Sequence, residues 1–364
     1  MNIGLYISPS HAVPPDEKNI LAPWLLVRDL ANGLVSRRHN VTLFAAKGTK
    51  TEAKLVSGGI SPTIHERERF GDIDLYRAFV IAKELLLFRE VIAAAKAGKI
   101  DCIHIHQPVE RLYPALAALP PKFPVVITFH DPIKPARFPA LEKVFGLGNI
   151  HFVALSKSQM EGVPFQFTAV VPNGVDTELF KPDNDLKLTD RPLLMTGRIV
   201  PQKGFTDAIM VAKMTGKRLL LVGQEYTKKK IPREYFEDEV WPEVDGKHVI
   251  WESVVKQEHL IGHYQTALAL LFPIHWDEPF GLVMIEAMAC GTPVIAYNRG
   301  SVSEIVRDGM TGYVVDPEKG IKGLSEAVRK IGDIKRSACR EHVLTHFSLT
   351  KMIEGYERMY RRVV

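Results

Sequence analysis

The chain has 364 residues, of which 46% are hydrophobic and 24% are charged, a composition typical of a soluble globular protein. This length is enough for two domains, each with its own core. The formal net charge of +5 is too small to indicate nucleic-acid binding, although it suits anionic ligands or a peripheral contact with an acidic membrane surface.

The sequence shows no targeting or membrane-spanning segment. Met1–Ser8 lacks the features of a signal peptide, and no apolar run is long enough to cross a bilayer. Two of the three cysteines, Cys102 and Cys290, lie in apolar runs, which favours a reducing compartment. We therefore predict a cytoplasmic protein, free or peripheral on the inner face of the membrane; the sequence does not indicate its oligomeric state.

Apolar strands alternate with helices along the first half of the chain. This alternation is typical of a parallel sheet covered by helices on both faces. The predicted strands are Asn2–Ser8, Val41–Ala45, Asp101–His106, Val125–His130 and His151–Leu155. The predicted helices are Ala22–Arg37, Asp72–Ala97, Glu110–Leu119 and Phe138–Phe145.

The pattern changes around Val170–Lys181, where Pro172-Asn173-Gly174 indicates a turn, and Pro182–Arg191 is polar. A second alternation then begins. Its predicted strands are Pro192–Thr196, Arg218–Val222, Val249–Trp251, Leu268–Phe272, Pro293–Tyr297 and Tyr313–Val315. Its predicted helices are Thr206–Met214, Gln257–Thr266, Gly281–Ala289, Val302–Arg307, Ile321–Ile331, Lys335–Thr345 and Thr350–Arg362.

Two α/β domains with Rossmann-like parallel sheets, residues 1–172 and 173–349, are therefore predicted, facing a cleft between them. Ligands of such sheets bind beyond the carboxyl ends of the strands. Polar residues fall at those ends, namely His106, His130, Ser156, Gly197-Arg198, Gly223 and Asp277-Glu278. Ser301 and Glu304 fit a capping box at the start of the helix Val302–Arg307.

The stretch Ile274–Gly291 combines features of a phosphate site and a sugar site. Backbone N–H groups of a first helical turn, near Gly281 and Leu282, attract an anion such as a phosphate. Glu278 stands just before this helix and Glu286 stands inside it. A carboxylate in an apolar helix needs a partner, and sugar hydroxyls are suitable donors to it.

A basic loop, Gly197–Gly204, connects a strand to a helix in the same domain. Arg198 supplies a fork of donors and Lys203 a point charge, which suits an anionic ligand. A solvated basic loop is the alternative interpretation. The phosphate site predicted near Gly281 and Leu282, in the same domain, favours the interpretation that this loop binds an anionic ligand.

Several histidines and acidic pairs have more than one interpretation. His130, at a strand end, either contacts a substrate or is a capped structural residue. His104 and His106 share a strand face and lack a third metal ligand, so we favour packing for His104 and a place near the cleft for His106. The D-x-D patterns Asp72-Ile73-Asp74 and Asp183-Asn184-Asp185 are better explained as structural than as metal sites.

Other enzyme classes are disfavoured by missing motifs. No G-x-G-x-x-G follows a strand, and no G-x-x-x-x-G-K-[ST] occurs, which argues against a dinucleotide dehydrogenase or a P-loop enzyme. The sequence also has no G-x-S-x-G elbow and no H-E-x-x-H motif.

Motifs across most of the chain resemble those of family-four glycosyltransferases, which are retaining GT-B enzymes with nucleotide-sugar donors. The segment from Glu278 to Glu286 resembles the family's E-x7-E signature, which is highly specific. The other matching motifs are Val13-Pro14-Pro15, Val41–Ala45, Asn173-Gly174-Val175-Asp176, Gly197-Arg198 with Lys203-Gly204, Ser303–Val306, Asp308-Gly309 and Thr311-Gly312.

The resemblance implies a role for each matched residue. Gly197, Arg198 and Lys203 would form the diphosphate loop, with the two cations stabilising the leaving nucleotide. Glu286 would accept hydrogen bonds from the ribose. The N-terminal domain would serve the acceptor and the C-terminal domain the donor, with helix 350–364 packing back on the N-terminal domain.

The transferred sugar would be held by a second set of residues. Glu278 and the backbone of Phe280, Gly281 and Leu282 would contact it, and His130 would lie beside it near the reacting centre. The family generally needs no metal, and the nucleotide sugar is a substrate, so no cofactor is expected.

The resemblance therefore implies retaining transfer of a hexose-type sugar from a UDP- or GDP-linked donor. The acceptor would be a glycan, a lipid-linked molecule or a small molecule. One alternative is a GT-B nucleotide-sugar epimerase. Another is a nucleotide-sugar-binding protein with weak or lost transferase activity, because Lys18-Asn19-Ile20-Leu21 stands where the family has a glycine pair.

Overall fold

The computed structural model describes residues 1–14, 22–107, 109–183, 185–186, 190–225 and 230–364. The predicted departure at Lys18–Leu21 and the central Asn184 of the second D-x-D motif lie outside the described residues. The chain forms two compact units, one comprising Met1–Pro172 with Met352–Val364 and the other Asn173–Lys351.

The N-terminal unit contains a seven-stranded parallel sheet with the order β3-β2-β1-β4-β5-β6-β7. Its strands are β1 (Asn2–Tyr6), β2 (Asn40–Phe44), β3 (Lys54–Val56), β4 (Cys102–Ile105), β5 (Val125–Thr128), β6 (Ile150–Ala154) and β7 (Phe167–Val170). Its first four helices are α1 (Ala22–Ser36), α2 (Ile73–Lys96), α3 (Tyr113–Leu116) and α4 (Phe138–Phe145).

The C-terminal unit contains a six-stranded parallel sheet with the order β10-β9-β8-β11-β12-β13. Its strands are β8 (Leu193–Thr196), β9 (Leu219–Val222), β10 (Val249–Glu252), β11 (Ala269–Phe272), β12 (Val294–Tyr297) and β13 (Gly312–Val315). The helices that follow along the chain are α5 (Phe205–Thr215), α6 (Lys230–Glu234), α7 (Gln257–Thr266), α8 (Leu282–Ala289), α9 (Val302–Ile305), α10 (Gly320–Lys330), α11 (Arg336–His346) and α12 (Leu349–Val363).

Six strands inside the two sheets are buried along their whole length, as in a sheet with helices on both faces: β4, β5, β8, β9, β11 and β12. Every residue of β9 and β12 is buried, which explains why these strands read as continuous apolar runs without alternation. The predicted fold class, two parallel α/β sheets, is confirmed.

The edge strands β3 and β7 were not predicted from the sequence. The residues of β3 are exposed or half-buried, and those of β7 are all half-buried. An edge strand carries a weaker apolar pattern than a central strand because less of it is covered by the core.

Two helix predictions also need correction. The predicted helix Glu110–Leu119 is a 3-10 turn, Val109–Leu112, followed by the single turn α3. The prediction of a capping box at Ser301 is wrong. Ser301 makes no side-chain capping bond, and its Oγ instead donates a hydrogen bond of 2.8 Å to the Phe280 carbonyl. The helix α9 then ends at Ile305, before an extended Val306.

The last helix, α12, supplies buried side chains to the core of the N-terminal unit. Tyr360 Oη lies 2.6 Å from His104 Nδ1, and Tyr356 Oη lies 3.1 Å from Thr128 Oγ1. The buried residues follow helical spacing, as expected for an amphipathic helix; they include Met352, Ile353, Tyr356, Met359 and Tyr360.

Each sheet has a point at which the strand order reverses direction. In the N-terminal unit it lies between β1 and β4, and in the C-terminal unit between β8 and β11. The loops that leave such a pair of parallel strands diverge to opposite faces and leave a crevice for a ligand. In the described residues, no helix combines the length and apolar character needed to span a bilayer.

Candidate active site

The loops after β8 and β11 meet at the reversal point of the C-terminal sheet. Lys203 Nζ, from the first loop, donates to Glu278 Oε2 of the second at 2.5 Å, and Trp276 Nε1 donates to the same oxygen at 3.0 Å. The ammonium also lies over the rings of Trp276 and Phe272, 5.1 and 5.5 Å from their centroids. The predicted Lys203 and Glu278 are therefore direct neighbours.

The position of Lys203 depends on the glycine that follows it. Gly204 has a φ of 76°, and a Cβ added there would lie 2.0 Å from the carbonyl oxygen of Pro273. The two loops are also joined by a hydrogen bond from the His275 amide to the Gln202 carbonyl, 2.9 Å long. Only a residue without a side chain allows this close approach.

The loop before α8 packs against the backbone of Gly300 and Ser301, which fixes its position. The Ser301 amide donates to the Glu278 carbonyl at 3.0 Å, and a Cβ at Gly300 would lie 2.5 Å from the Glu278 backbone. The Phe280 side chain is buried against Phe347, so only its backbone is available to a ligand. These contacts set the direction in which the first turn of α8 points.

Gly281, the N-cap residue that precedes α8, has a left-handed conformation with a φ of 82°. The amides of the first turn, at Leu282 and Val283, come before the first intrahelical bond, which runs from the Met284 amide to the Gly281 carbonyl. Such amides carry the partial positive charge of a helix N-terminus, which attracts anions.

Glu286 lies in the second turn of α8 and is half-buried. Its Oε2 accepts a hydrogen bond of 2.8 Å from the Tyr264 hydroxyl, which belongs to α7. Burial raises the pKa of the Glu286 carboxyl, and the bond from Tyr264 opposes that rise. In the described chain, Tyr264 is the one protein partner of this carboxylate, so it keeps acceptor capacity for a ligand.

Arg198 and Gly197 follow β8 directly. The Arg198 side chain is exposed and forms no hydrogen bond or ion pair with the described residues. Gly197 has a φ of 146°, and its carbonyl oxygen would lie 1.9 Å from a Cβ at Gly223, so the strand ends of β8 and β9 approach closely. Because its side chain is exposed and bonds to none of the described residues, Arg198 is a cation whose donors are available to an anion.

The remaining predicted residue, His130, belongs to the N-terminal unit. It follows β5, is half-buried, and its Nε2 lies 3.1 Å from Nδ1 of His106, which follows β4. Burial lowers the pKa of His130 to about 4, so the ring is neutral at pH 7. His104 is fully buried between Tyr360 and Thr128, which confirms its packing role.

The first D-x-D pattern has a structural role, as expected. Asp72 caps α2 by accepting hydrogen bonds from the amides of Asp74 and Leu75, and these bonds lower its pKa. Asp74 pairs with Arg77 at 2.7 Å. Among the residues that the structure describes, no group of three or more acidic, histidine or cysteine side chains is arranged to hold a metal ion.

Three residues at these sites were not singled out as such from the sequence: Trp276, Tyr264 and His106 as the partner of His130. Trp276 lies only two residues from Glu278, so its proximity was a usable signal. The contact from Tyr264 to Glu286 joins two helices, and no local pattern in the sequence indicates it.

Two family models match the chain. One, described as Glycosyltransferase Family 4, matches residues 25–179, and the other, Glycosyl transferases group 1, matches residues 176–341. The chain belongs to the family-four glycosyltransferases.

Individual relatives are distant. The chain is 30% identical over 212 residues to a D-inositol 3-phosphate glycosyltransferase of Acidothermus cellulolyticus, an alignment that covers 53% of this chain and 47% of that relative. The chain thus spans about half the length of this relative.

Solved structures show the same fold over nearly the whole chain. A sucrose-phosphate synthase from Thermosynechococcus elongatus superposes with a TM-score of 0.74 at 20% identity, covering 99% of this chain and 98% of that one. The Anabaena protein Alr3699/HepE in complex with UDP-glucose superposes with a TM-score of 0.69 at 18% identity, covering 99% of both chains. These neighbours identify the fold as GT-B.

Proposed function

We propose that the chain is a retaining glycosyltransferase that moves a hexose-type sugar from a UDP- or GDP-linked donor to a hydroxyl of its acceptor. The observation that carries this proposal is the arrangement of Arg198, Lys203, Glu278 and the first turn of α8 around one reversal point of the sheet. Cations and helix amides suit a diphosphate, and the carboxylate suits a sugar. The structural neighbour bound to UDP-glucose supports a nucleotide-sugar donor.

Without a donor, Lys203 and Glu278 satisfy each other. Their side chains are only 16% and 14% exposed, and a partly buried charge without a partner would be costly. A diphosphate competes with Glu278 for the ammonium. In our proposal Lys203 turns to the phosphate oxygens, and the released Glu278 carboxylate accepts hydrogen bonds from sugar hydroxyls.

The proposed reaction needs no metal and no separate base. The bond between the anomeric carbon and the diphosphate oxygen breaks while the acceptor oxygen forms a bond to the same face of that carbon. The acceptor proton passes to the leaving phosphate. Arg198, Lys203 and the amides at Leu282 and Val283 stabilise the negative charge that develops there, which is the function a metal has in other transferases.

His130 contributes a neutral imidazole in this proposal. A ring with a pKa of about 4 is not protonated at pH 7, so it adds no positive charge beside an oxocarbenium-like centre. It is suited to a hydrogen bond with an oxygen of the transferred sugar.

Glu286→Ala is expected to weaken nucleotide binding about 10- to 100-fold, because a hydrogen bond to a charged group contributes about 1.5–3 kcal/mol. Isothermal titration calorimetry with UDP and GDP measures the change, after a thermal-shift screen has identified the nucleotide that stabilises the wild-type protein. Glu326→Ala is the matched control, because Glu326 is an exposed glutamate of α10 in the same unit. Equal affinity of the wild-type protein and the Glu286 variant would exclude the ribose role.

A further inference from the structure

His106 and His130 form one hydrogen-bonded pair in the N-terminal unit. Their rings are stacked, with centroids 5.4 Å apart, and the 3.1 Å contact joins His106 Nδ1 to His130 Nε2. A hydrogen bond between two neutral imidazoles has one donor and one acceptor, so a single proton lies between these nitrogens. Two arrangements are chemically available, and the surroundings of His106 select one.

The second ring nitrogen of His106, Nε2, is buried and has no hydrogen-bond partner. Burial, with smaller contributions from His104 and His130, lowers the pKa of His106, so the ring carries one proton at pH 7. A proton on Nε2 would be a buried donor without an acceptor, and orphaned donors are rarer in proteins than under-satisfied acceptors. The proton therefore lies on Nδ1 and is donated to His130.

This arrangement determines the tautomer of His130. Because His130 accepts a hydrogen bond at Nε2, its own proton is on Nδ1. His130 is half-buried, whereas His106 is only 5% exposed, so His130 is the member of the pair that a ligand reaches. Nδ1 of His130 has no hydrogen-bond partner in the part of the chain that the structure describes.

The ring of His106 is held in place by the core and by α12. Its centroid lies 3.8 Å from that of His104 and 6.2 Å from that of Tyr356. His104 is fixed in turn by Tyr360 Oη at 2.6 Å and by Thr128 Oγ1 at 2.8 Å. The titratable groups that act on His106 are His104 and His130, and burial lowers the pKa of both.

We propose that His106 is a positioning residue that fixes His130 in the Nδ1–H tautomer, so that His130 donates a hydrogen bond to a substrate oxygen and does not act as a base. The oxygen is a hydroxyl or ring oxygen of a sugar. The substrate part of this inference rests on the proposed function, whereas the tautomer rests on the protein structure alone.

Long-range 1H–15N correlation spectra of the full-length, 15N-labelled protein test the tautomer directly. In the wild-type spectrum, His130 is expected to show a protonated Nδ1 and an unprotonated Nε2. In His106→Leu this pattern should be lost, and in His106→Gln, whose amide can donate to Nε2, it should be retained. A wild-type His130 with its proton on Nε2 overturns the proposal without any variant.

Kinetics test the consequence for the reaction. His106→Leu is expected to lower kcat about tenfold, the equivalent of one neutral hydrogen bond, with little change in the KM of the donor. His106→Gln should recover most of the loss. His151→Leu, at a half-buried histidine on β6, is the control and should leave both the tautomer of His130 and kcat unchanged.

The two levels of the proposal fail separately. If the spectra show the Nδ1–H tautomer but the wild-type protein transfers sugar from no nucleotide donor, the proposed function fails and the positioning role of His106 remains. A His106→Leu enzyme with the wild-type kcat and an unchanged His130 spectrum contradicts the positioning role itself.

Discussion

Arg198→Ala is expected to lower kcat about 10²- to 10³-fold, the loss typical for removing one donor that stabilises a developing negative charge. The guanidinium is exposed and bonds to none of the described residues, so its removal leaves the fold undisturbed. Release of nucleoside diphosphate in the presence of acceptor measures the effect.

A matched variant separates charge at the site from charge on the surface. Arg218→Ala removes an arginine of the same unit whose side chain is 40% exposed and pairs with Asp190 at 3.0 Å, and this variant should retain the wild-type rate. Lys203→Ala should lose as much activity as Arg198→Ala and also some stability, because Glu278 loses its partner. A wild-type kcat in the Arg198 variant would remove Arg198 from the reaction.

Gly204→Ala is expected to destabilise the C-terminal unit by about 2–5 kcal/mol, the sum of left-handed backbone strain and an added methyl group in a space without room for it. The added Cβ would lie 2.0 Å from the Pro273 carbonyl oxygen, and φ is 76°. Either the backbone shifts or the loop of Lys203 separates from the loop of Glu278. Urea denaturation measures the free energy of unfolding.

Gly216 provides the control at the other end of the same helix, α5. It has a φ of 62°, and nothing lies within 4 Å of an added Cβ. Gly216→Ala therefore introduces the strain without the clash and should cost about 1–2 kcal/mol. Equal losses in the two variants would show that the approach to Pro273 does not constrain the loop.

The regular parts of the fold were predictable because each element carries its own signal. The apolar runs at β9 and β12 indicate strands, and Gly291, just after α8 with a φ of 81°, indicates the end of a helix, without reference to the rest of the chain. The positions of Glu278 before a helix and of Glu286 inside it follow from the same local signals. The edge strands β3 and β7 were missed because half-exposed strands lack a continuous apolar run.

The contacts that give the site its chemistry were not predictable from local patterns. Tyr264 reaches Glu286 across 22 residues, and Lys203 reaches Glu278 across 75. Ser301 shows the opposite error, since a valid local capping pattern is overridden by a buried hydrogen bond to Phe280. Side chains choose partners in the assembled core, where the cost of an unsatisfied polar group exceeds a local preference.

The stereochemistry of the product tests the central proposal most directly. The protein is incubated with α-linked UDP- and GDP-sugars, with and without a panel of glycan, lipid-linked and small-molecule acceptors, and the anomeric protons are followed by 1H NMR. We expect loss of the donor to depend on an acceptor and the new glycosidic bond to be α. A β-linked product would contradict retention, and an isomerised nucleotide sugar formed without acceptor would contradict transfer and identify an epimerase.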